Sequence, residues 1–364
     1  MTLSHIRNYR LFNQQISHTS FTKPGEIVAW MGAMQAQEFA MAKWAIGLRL
    51  SGSKEAEIEE AFNQGTILRT HLLRPTWHFV SPADIRWMLL ISGPRVQALN
   101  AHYYRKVELD SKIFKKCNDV FVKVLAGGKH LSRTTLQSAL AKAKIKADGI
   151  RLAYIMMQAE LDGVICSGRR LGKQFTYALL EERVLPVKKI DKENALSELI
   201  NRFFASRGPA TLSDFTYWSS LTMKEARCGV EMLDKKFSRE KVNEQEYFFI
   251  PTTMEGEKKD QISFLMPDYD EYGMSYKDRS AILDSKGISK AGIANAGYLH
   301  IIVLDGKFGG NWKITRKNKD VTIETYPSTP FNKRKEKALG MAVDRFSSFH
   351  QFLNTFHITT IYTK

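Results

Sequence analysis

The sequence predicts an α+β fold, in which tandem winged-helix (helix-turn-helix) units are followed by a C-terminal antiparallel β-barrel or sheet and a terminal helix. Three observations carry this reading. Apolar residues recur at helical spacing through most of the chain up to Ile250. That pattern breaks three times into a short β-like stretch, so an order of three helices then β repeats along the chain. From Gln261 onward, β-rich runs alternate with turn signals such as Asp305-Gly306.

Taken in order, Ser4–Gln15 reads as a short helix. Thr22-Lys23-Pro24 is a start signal, Thr offering a cap and Pro suiting the first turn. Ile27, Val28, Met31 and Met34 then continue a helix over Glu26–Met34, and Glu38–Leu50 forms the next. Ser53–Gln64 is acidic and amphipathic, with Ser53 as N-cap, and Thr66–Val80 turns β-like. A second unit begins after a polar helix around Pro94–Glu108. It continues through Ile113–Leu125, Ser132–Lys142 (capped by Ser132 or Arg133-Thr134) and Leu152–Leu161. Two short strands then flank the basic loop holding Arg169, Arg170 and Lys173, which is the winged-helix order. In the third unit Ala195–Ser206 is stopped by Arg207-Gly208-Pro209. Thr211 or Ser213 caps Asp214–Leu221, Thr222 caps Lys224–Leu233, and Lys241–Ile250 is strand-like. The remainder reads as strands from Ile262, Tyr298, Trp312 and Val321, separated by turns at Asp305-Gly306, Gly309-Gly310-Asn311 and Asn318-Lys319-Asp320. A helix over Arg334–Asn354 ends the series. The expected units are 1–90, 91–187, 188–258 and 259–364.

Composition narrows the function classes. The 364 residues are 43% hydrophobic and 11% aromatic, which excludes a disordered chain. No run of about 18 uncharged apolar residues reads as a membrane span, and Met1–Arg10 lacks the apolar stretch of a signal peptide, so a cytoplasmic protein is expected. Cys117, Cys166 and Cys228 are far apart and odd in number, which argues against a disulfide framework. Neither metal-ligand spacing nor a Gly-rich phosphate loop occurs, so no metal and no cofactor are expected. The 54 Lys+Arg against 38 Asp+Glu leave a formal charge of +16. Such a surplus suits a polyanion, most often nucleic acid.

Several strings then add up in order. They are Gln35-Ala36-Gln37, Arg74-Pro75-Thr76-Trp77-His78 ahead of Asp84, and Arg207-Gly208-Pro209 leading to Asp214 and Trp218. Pro267-Asp268-Tyr269-Asp270-Glu271-Tyr272 before Asp278-Arg279 and Leu304-Asp305-Gly306 before Gly310-Asn311-Trp312 complete the set. Together they resemble the bacterial winged-helix DNA-binding family that includes the AlkZ-like and YcaQ-like DNA glycosylases, over nearly the whole chain. The resemblance implies tandem winged helices and a C-terminal β-barrel around a basic groove. It also implies excision of bulky or crosslinking alkylated purines by part of the family, through a Gln-x-Gln or Gln-x-Asp motif whose matching positions here are Gln35 and Gln37. The implied partner is double-stranded DNA, alkylated or crosslinked, bound by a monomer and with no membrane involved.

The chemistry fits that motif. Breaking an N-glycosidic bond passes through an oxocarbenium-like state. A cationic alkylated purine leaves readily, so the main tasks are to hold a water below C1′ and to meet developing charge with dipoles. A Gln amide offers one acceptor and two donor hydrogens for this. Residues i and i+2 of a regular helix lie about 200° apart, so shared work by Gln35 and Gln37 requires a break between helices, and Gly32 supplies one. Glu38 is the nearest carboxylate and offers either a general base or a helix-start residue.

Arg74 and His78 are candidate DNA contacts, as are Arg169, Arg170 and Lys173 on the wing and Arg316 and Lys317 in the β-rich region. Lys129, Arg133, Lys142 and Lys144 flank the expected recognition helix, and Tyr103, Tyr104, Arg105 and Lys106 mix rings with cations. Between Lys307 and Lys337 nine basic residues (Lys307, Lys313, Arg316, Lys317, Lys319, Lys333, Arg334, Lys335, Lys337) face three acidic ones (Asp320, Glu324, Glu336). Asp268, Asp270 and Glu271 invite a nuclease-metal reading, but in one tight string they suit turn caps and ion pairs to Arg279 better. A non-catalytic, regulator-like DNA-binding protein is the alternative to a glycosylase.

Overall fold

The computed structural model describes residues 1–187, 189–252, 262–283, 300–317, 320–352 and 356–361. Leu3–Asn13 (α1) opens the chain with Thr2 as its N-cap. Pro24–Met31 (α2) starts with Pro24 in its first turn, and its cap is Lys23 rather than Thr22. The Glu26 carboxylate accepts the N–H groups of both residues, at 3.0 and 2.9 Å. Gly32 has φ +70° and ends α2 three residues before the expected end at Met34. Ala33–Gln35 is therefore a strand, β1.

Phe39–Gly47 (α3) and Glu55–Gln64 (α4) follow, the latter capped at Lys54 and not at Ser53. The β-like stretch resolves into a hairpin of Leu68–Leu72 (β2) and Arg74–Val80 (β3), which forms a three-stranded sheet in the order β1-β3-β2.

Ile85–Lys106 (α5) begins nine residues before the expected start and carries Pro94 inside it. Ser111–Leu125 (α6), Leu131–Ser132 (β4), Arg133–Lys142 (α7), Gly149–Leu161 (α8), Ile165–Ser167 (β5) and Thr176–Leu179 (β6) come next. Of the two expected candidates for the cap of α7, Ser132 is the one used, its hydroxyl accepting the Thr135 N–H. Strands β4, β6 and β5 pair in that order behind the three helices. Leu180–Arg183 (α9) leads to Lys192–Arg207 (α10), Leu212–Ser219 (α11) and Met223–Val230 (α12), the last two capped by Thr211 and Thr222. The single strand expected at Lys241–Ile250 is a hairpin of Ser238–Val242 (β7) and Gln245–Phe249 (β8). It turns through Asn243 and Glu244, both at positive φ.

Ser263–Leu265 (β9), Glu271–Met274 (α13), Ile301–Leu304 (β10), Lys307–Lys317 (β11), Asp320–Pro327 (β12), Lys333–His350 (α14) and Phe356–Thr360 (β13) complete the described elements. The five strands order as β13-β12-β11-β10-β9, and β13 joins β12 in parallel. The C-terminal sheet is thus antiparallel apart from one edge pair, and a strand follows the helix expected to end the chain. Asp305-Gly306 is the expected turn, with φ +48° and +76°. Gly309-Gly310 is not a turn. It lies inside β11 at a bulge where pairing skips Gly309, and a Cβ on Gly310 would meet the Tyr326 carbonyl at 2.2 Å. Residues 318 and 319 of the third expected turn lie outside the described residues.

One core runs through the N-terminal helices, α10–α12 and the C-terminal sheet, while α6–α8 and β5–β6 build a second around Phe114, Phe121, Leu140 and Ile155. Trp44 shows how α3 is tied in. Its Nε1 donates to the Leu265 carbonyl at 2.7 Å, and its rings meet Phe346 and Phe349 at 5.1 and 5.2 Å. Gly47 touches the same Phe349, whose ring carbon would lie 2.3 Å from an added Cβ. Gly47→Ala is therefore expected to cost about 1–3 kcal/mol through overpacking, read as a lower denaturant midpoint with an unchanged slope. Among the described residues no helix is long and apolar enough to cross a membrane.

Candidate active site

The Gly32 break places both glutamines outside any helix, Gln35 on β1 and Gln37 between β1 and α3. Gln35 ends β1 opposite His78 of β3, and the Ala36 N–H extends the pairing by donating to the Trp77 carbonyl at 2.7 Å. Gln37 lies past the strand, in the bend that leads to α3. Gln35 is only 8% exposed, whereas Gln37 is exposed. Arg74 Nη2 donates to Gln35 Oε1 at 3.1 Å and has a longer contact, 3.5 Å, with His78 Nε2. The Gln37 side chain makes no hydrogen bond among the described residues, so its amide is free to meet a ligand.

His78 is completely buried, and burial with the neighbouring Arg74 charge holds its pKa down at about 3. It is a neutral ring at physiological pH. Because the Thr76 carbonyl stands 3.0 Å from Nδ1, the proton sits there and the Nε2 lone pair faces Arg74. Its place is under Gln35, as part of the platform.

Beneath Gln35 lies a carboxylate. Glu271 Oε1 accepts the Gln35 main-chain N–H at 2.9 Å, while Oε2 accepts from Arg207 Nη2 (2.8 Å), Trp218 Nε1 (3.0 Å) and the Ser275 hydroxyl (2.7 Å). Burial alone would raise its pKa. The Arg207 and Arg74 charges outweigh that and hold it at about 2. Arg207 also donates to the carbonyls of Met31 and Ala33, at 2.7 and 2.8 Å, bracketing the Gly32 break from α10.

A third guanidinium, Arg69 on β2, donates to the Ala36 carbonyl at 2.9 Å and to that of Gln37 at 3.4 Å. It lies over the rings of Trp77 and Phe175, and burial lowers its pKa to about 10, which leaves it charged at neutral pH. Sequence reasoning assigned roles to none of Arg69, Arg207 and Glu271 at this site. For Arg69 the available signal was a charged residue within an apolar β stretch.

The other expected contacts are dispersed. Arg169 and Lys173 are exposed, and their side-chain cations have no partner among the described residues. Arg170 faces inward instead. It pairs with Glu59 at 2.8 Å, donates to the Lys173 carbonyl at 2.7 Å, and lies over Phe39 and Phe175. Arg316 is exposed on β11, over Phe352 at 5.2 Å, and the side chain of Lys317 lies outside the described residues.

Tyr104 is a core residue, so it offers no free ring, while Tyr103 stacks on Tyr154 at 6.1 Å. A hollow of about 530 Å³ beside Tyr104, Arg105 and Lys115 includes neither glutamine. Asp270 caps α13 and pairs with Arg49 at 2.8 Å, and Glu271 with Arg207, both partners that the sequence reading missed in favour of Arg279. Among the described residues no group of three or more His, Cys, Asp or Glu side chains is placed to hold a metal ion.

A family model described as "DNA glycosylase AlkZ-like" matches residues 28–349. The chain belongs to the AlkZ-like DNA glycosylase family. That membership favours the enzyme over the non-catalytic alternative, and the coarse activity is that of a DNA glycosylase. The AlkZ-like fold recurs in the solved structure of Streptomyces sahachiroi DNA glycosylase AlkZ. The two chains are 16% identical, cover 100% of each other, and superpose with a TM-score of 0.79. No curated protein sequence matches significantly.

Proposed function

We propose that the protein is a monofunctional DNA glycosylase that hydrolyses the N-glycosidic bond of bulky or crosslinked alkylated purines. The observation that carries this reading is the glutamine pair in an AlkZ-like chain. The Gln37 amide is exposed and unengaged, while the Gln35 amide is anchored through its oxygen by Arg74. Two such amides can orient a water and stabilise developing sugar charge. They supply little basicity, which suits a lesion whose cationic ring already leaves easily. Glu38, next to Gln37 in the chain, is exposed.

DNA contact is read from the middle unit, where α6–α8 with β4–β6 fit a winged helix, α7 serving as recognition helix and the 168–175 turn as wing. The first and third units read as relatives of it, with divisions at 1–90, 91–187, 188–258 and 259–364. The substrate is double-stranded DNA, met by a cytoplasmic monomer without cofactor or metal.

Duplex containing N7-alkylguanine, incubated with the protein, is expected to yield free alkylated base and abasic sites while the strands stay intact until alkali is added. Binding without base release overturns the reading. If about six phosphates are neutralised, log affinity for undamaged duplex falls against log salt with a slope of about −5. Arg169→Ala and Lys173→Ala are each expected to reduce that slope by about 1. Arg170→Ala, whose guanidinium is spent on Glu59, is expected to leave it unchanged.

A further inference from the structure

Both peptide groups that flank Gln37 are held by one side chain. The Ala36 carbonyl belongs to the planar unit before Gln37 and the Gln37 carbonyl to the unit after it, and only φ and ψ of residue 37 lie between those planes. Arg69 holds the first oxygen through Nε at 2.9 Å and the second through Nη2 at 3.4 Å. A guanidinium is a rigid planar fork. Two donors at fixed separation on two successive carbonyls therefore restrict φ and ψ of Gln37, and with them the direction of its Cα–Cβ bond. The side chain has no hydrogen bond of its own among the described residues, so its aim comes from this backbone.

The fork is held in turn from outside the loop. The main-chain N–H of Arg69 donates to the Ser167 hydroxyl at 2.8 Å, and the guanidinium carbon lies 4.3 Å from the Trp77 ring centre and 4.8 Å from that of Phe175. Ser167 ends β5 and Phe175 precedes β6, so the seat of Arg69 is built partly by the hairpin of the middle unit. Phe175 also meets Phe39, the first residue of α3, edge-on at 5.0 Å.

We propose that Arg69 is a positioning residue for base excision, which aims the Gln37 amide by locking the peptide planes on both sides of it. The proposal rests on the glycosylase reading above. Arg69→Lys keeps the charge but offers a point donor in place of the fork, and Arg69→Ala removes both donors. In single-turnover excision from N7-alkylguanine duplex at saturating enzyme, both variants are expected to lose about 10- to 100-fold in rate, the scale of a misplaced catalytic group. Their Kd for undamaged duplex should stay within about twofold of the wild-type value, as expected when the lost interaction acts on the chemical step. Methylguanidinium, against sodium chloride at equal ionic strength, should restore part of the Arg69→Ala rate, since it refills the same seat. A full rate at saturation, or a loss that appears only in Kd, overturns the proposal.

A second readout does not depend on activity. The NMR order parameter of the Gln37 main-chain amide should fall in Arg69→Ala below about 0.6, the flexible range. If the wild-type protein releases no base from any alkylated duplex, the glycosylase reading fails. An unchanged Gln37 order parameter overturns the role of Arg69.

Discussion

Gln37→Ala is expected to release alkylated purine about 10²- to 10³-fold more slowly than the wild-type protein at saturating enzyme, while binding duplex as tightly. The magnitude is that of removing one preorganised dipole from a site of charge development. The side chain is exposed and makes no hydrogen bond among the described residues, so its removal leaves no buried group unsatisfied and stability should stay within about 0.5 kcal/mol. That separates it from Gln35. Truncating Gln35 removes an acceptor of Arg74 Nη2 and disturbs the platform beneath, so its loss mixes chemistry with packing. The clean measurement is thus a pair of numbers for Gln37→Ala, the single-turnover rate and Kd. An undiminished rate removes Gln37 from the chemistry.

Much of the scaffold was legible because its signals are local. Thr222 caps the helix it was expected to cap, and Ser132 and Thr211 are each one of the two candidates the sequence offered, since a hydroxyl one step before a helix has a definite job to do with the first free N–H groups. The need for a break before the glutamines was legible from helix geometry. That the break would be a strand was not, because a three-residue strand has no periodicity and is defined by its partner β3, some forty residues downstream. The Gly309-Gly310 bulge was mistaken for a turn for a related reason. Local sequence marks the special backbone, and only the facing β10 distinguishes a bulge from a reversal.

The supporting shell of the candidate site was hidden for a different cause. Glu271 and Arg69 reach Gln35-Ala36-Gln37 from α13 and β2, Arg207 reaches Met31 and Ala33 just ahead of them from α10, and their pairing depends on the folded chain. In sequence, Glu271 stands in a string with Asp268 and Asp270 and reads as a turn cap or an ion-pair partner of Arg279. Arg170 shows the converse. It looks like one of a pair of equivalent wing cations with Arg169, yet Glu59 and two aromatic rings draw it inward. Charge runs disclose that a face is basic and leave open which members carry the phosphate contacts.

Glu271→Gln should produce the largest loss of stability of any single change near the site, about 3–5 kcal/mol, because it leaves the fully buried Arg207 without its counter-charge. Geometry prevents the amide from substituting. The carboxylate accepts on both oxygens, from Gln35 N–H on one and from Arg207, Trp218 and Ser275 on the other. Either orientation of a Gln amide sets N–H against a donor. The pH profile carries the same signature. In the folded protein this carboxyl is held down at about 2, against an ordinary carboxyl value of 4.5. Its contribution is therefore complete above about pH 5 and is lost as pH falls toward 2. His78, held neutral down to about pH 3, adds a loss that begins already below about 6.5, because the unfolded ring takes a proton that the buried one refuses. Denaturant midpoints measured from pH 7 to 3 should fall for the wild type through both windows. Glu271→Gln should start lower at pH 7 and fall less steeply below pH 5, with the His78 portion intact. Combining it with Arg207→Met, which removes the unpaired cation, should recover part of the loss. An acid limb identical to that of the wild type would show that the Glu271–Arg207 pair does not hold the platform under the glutamines.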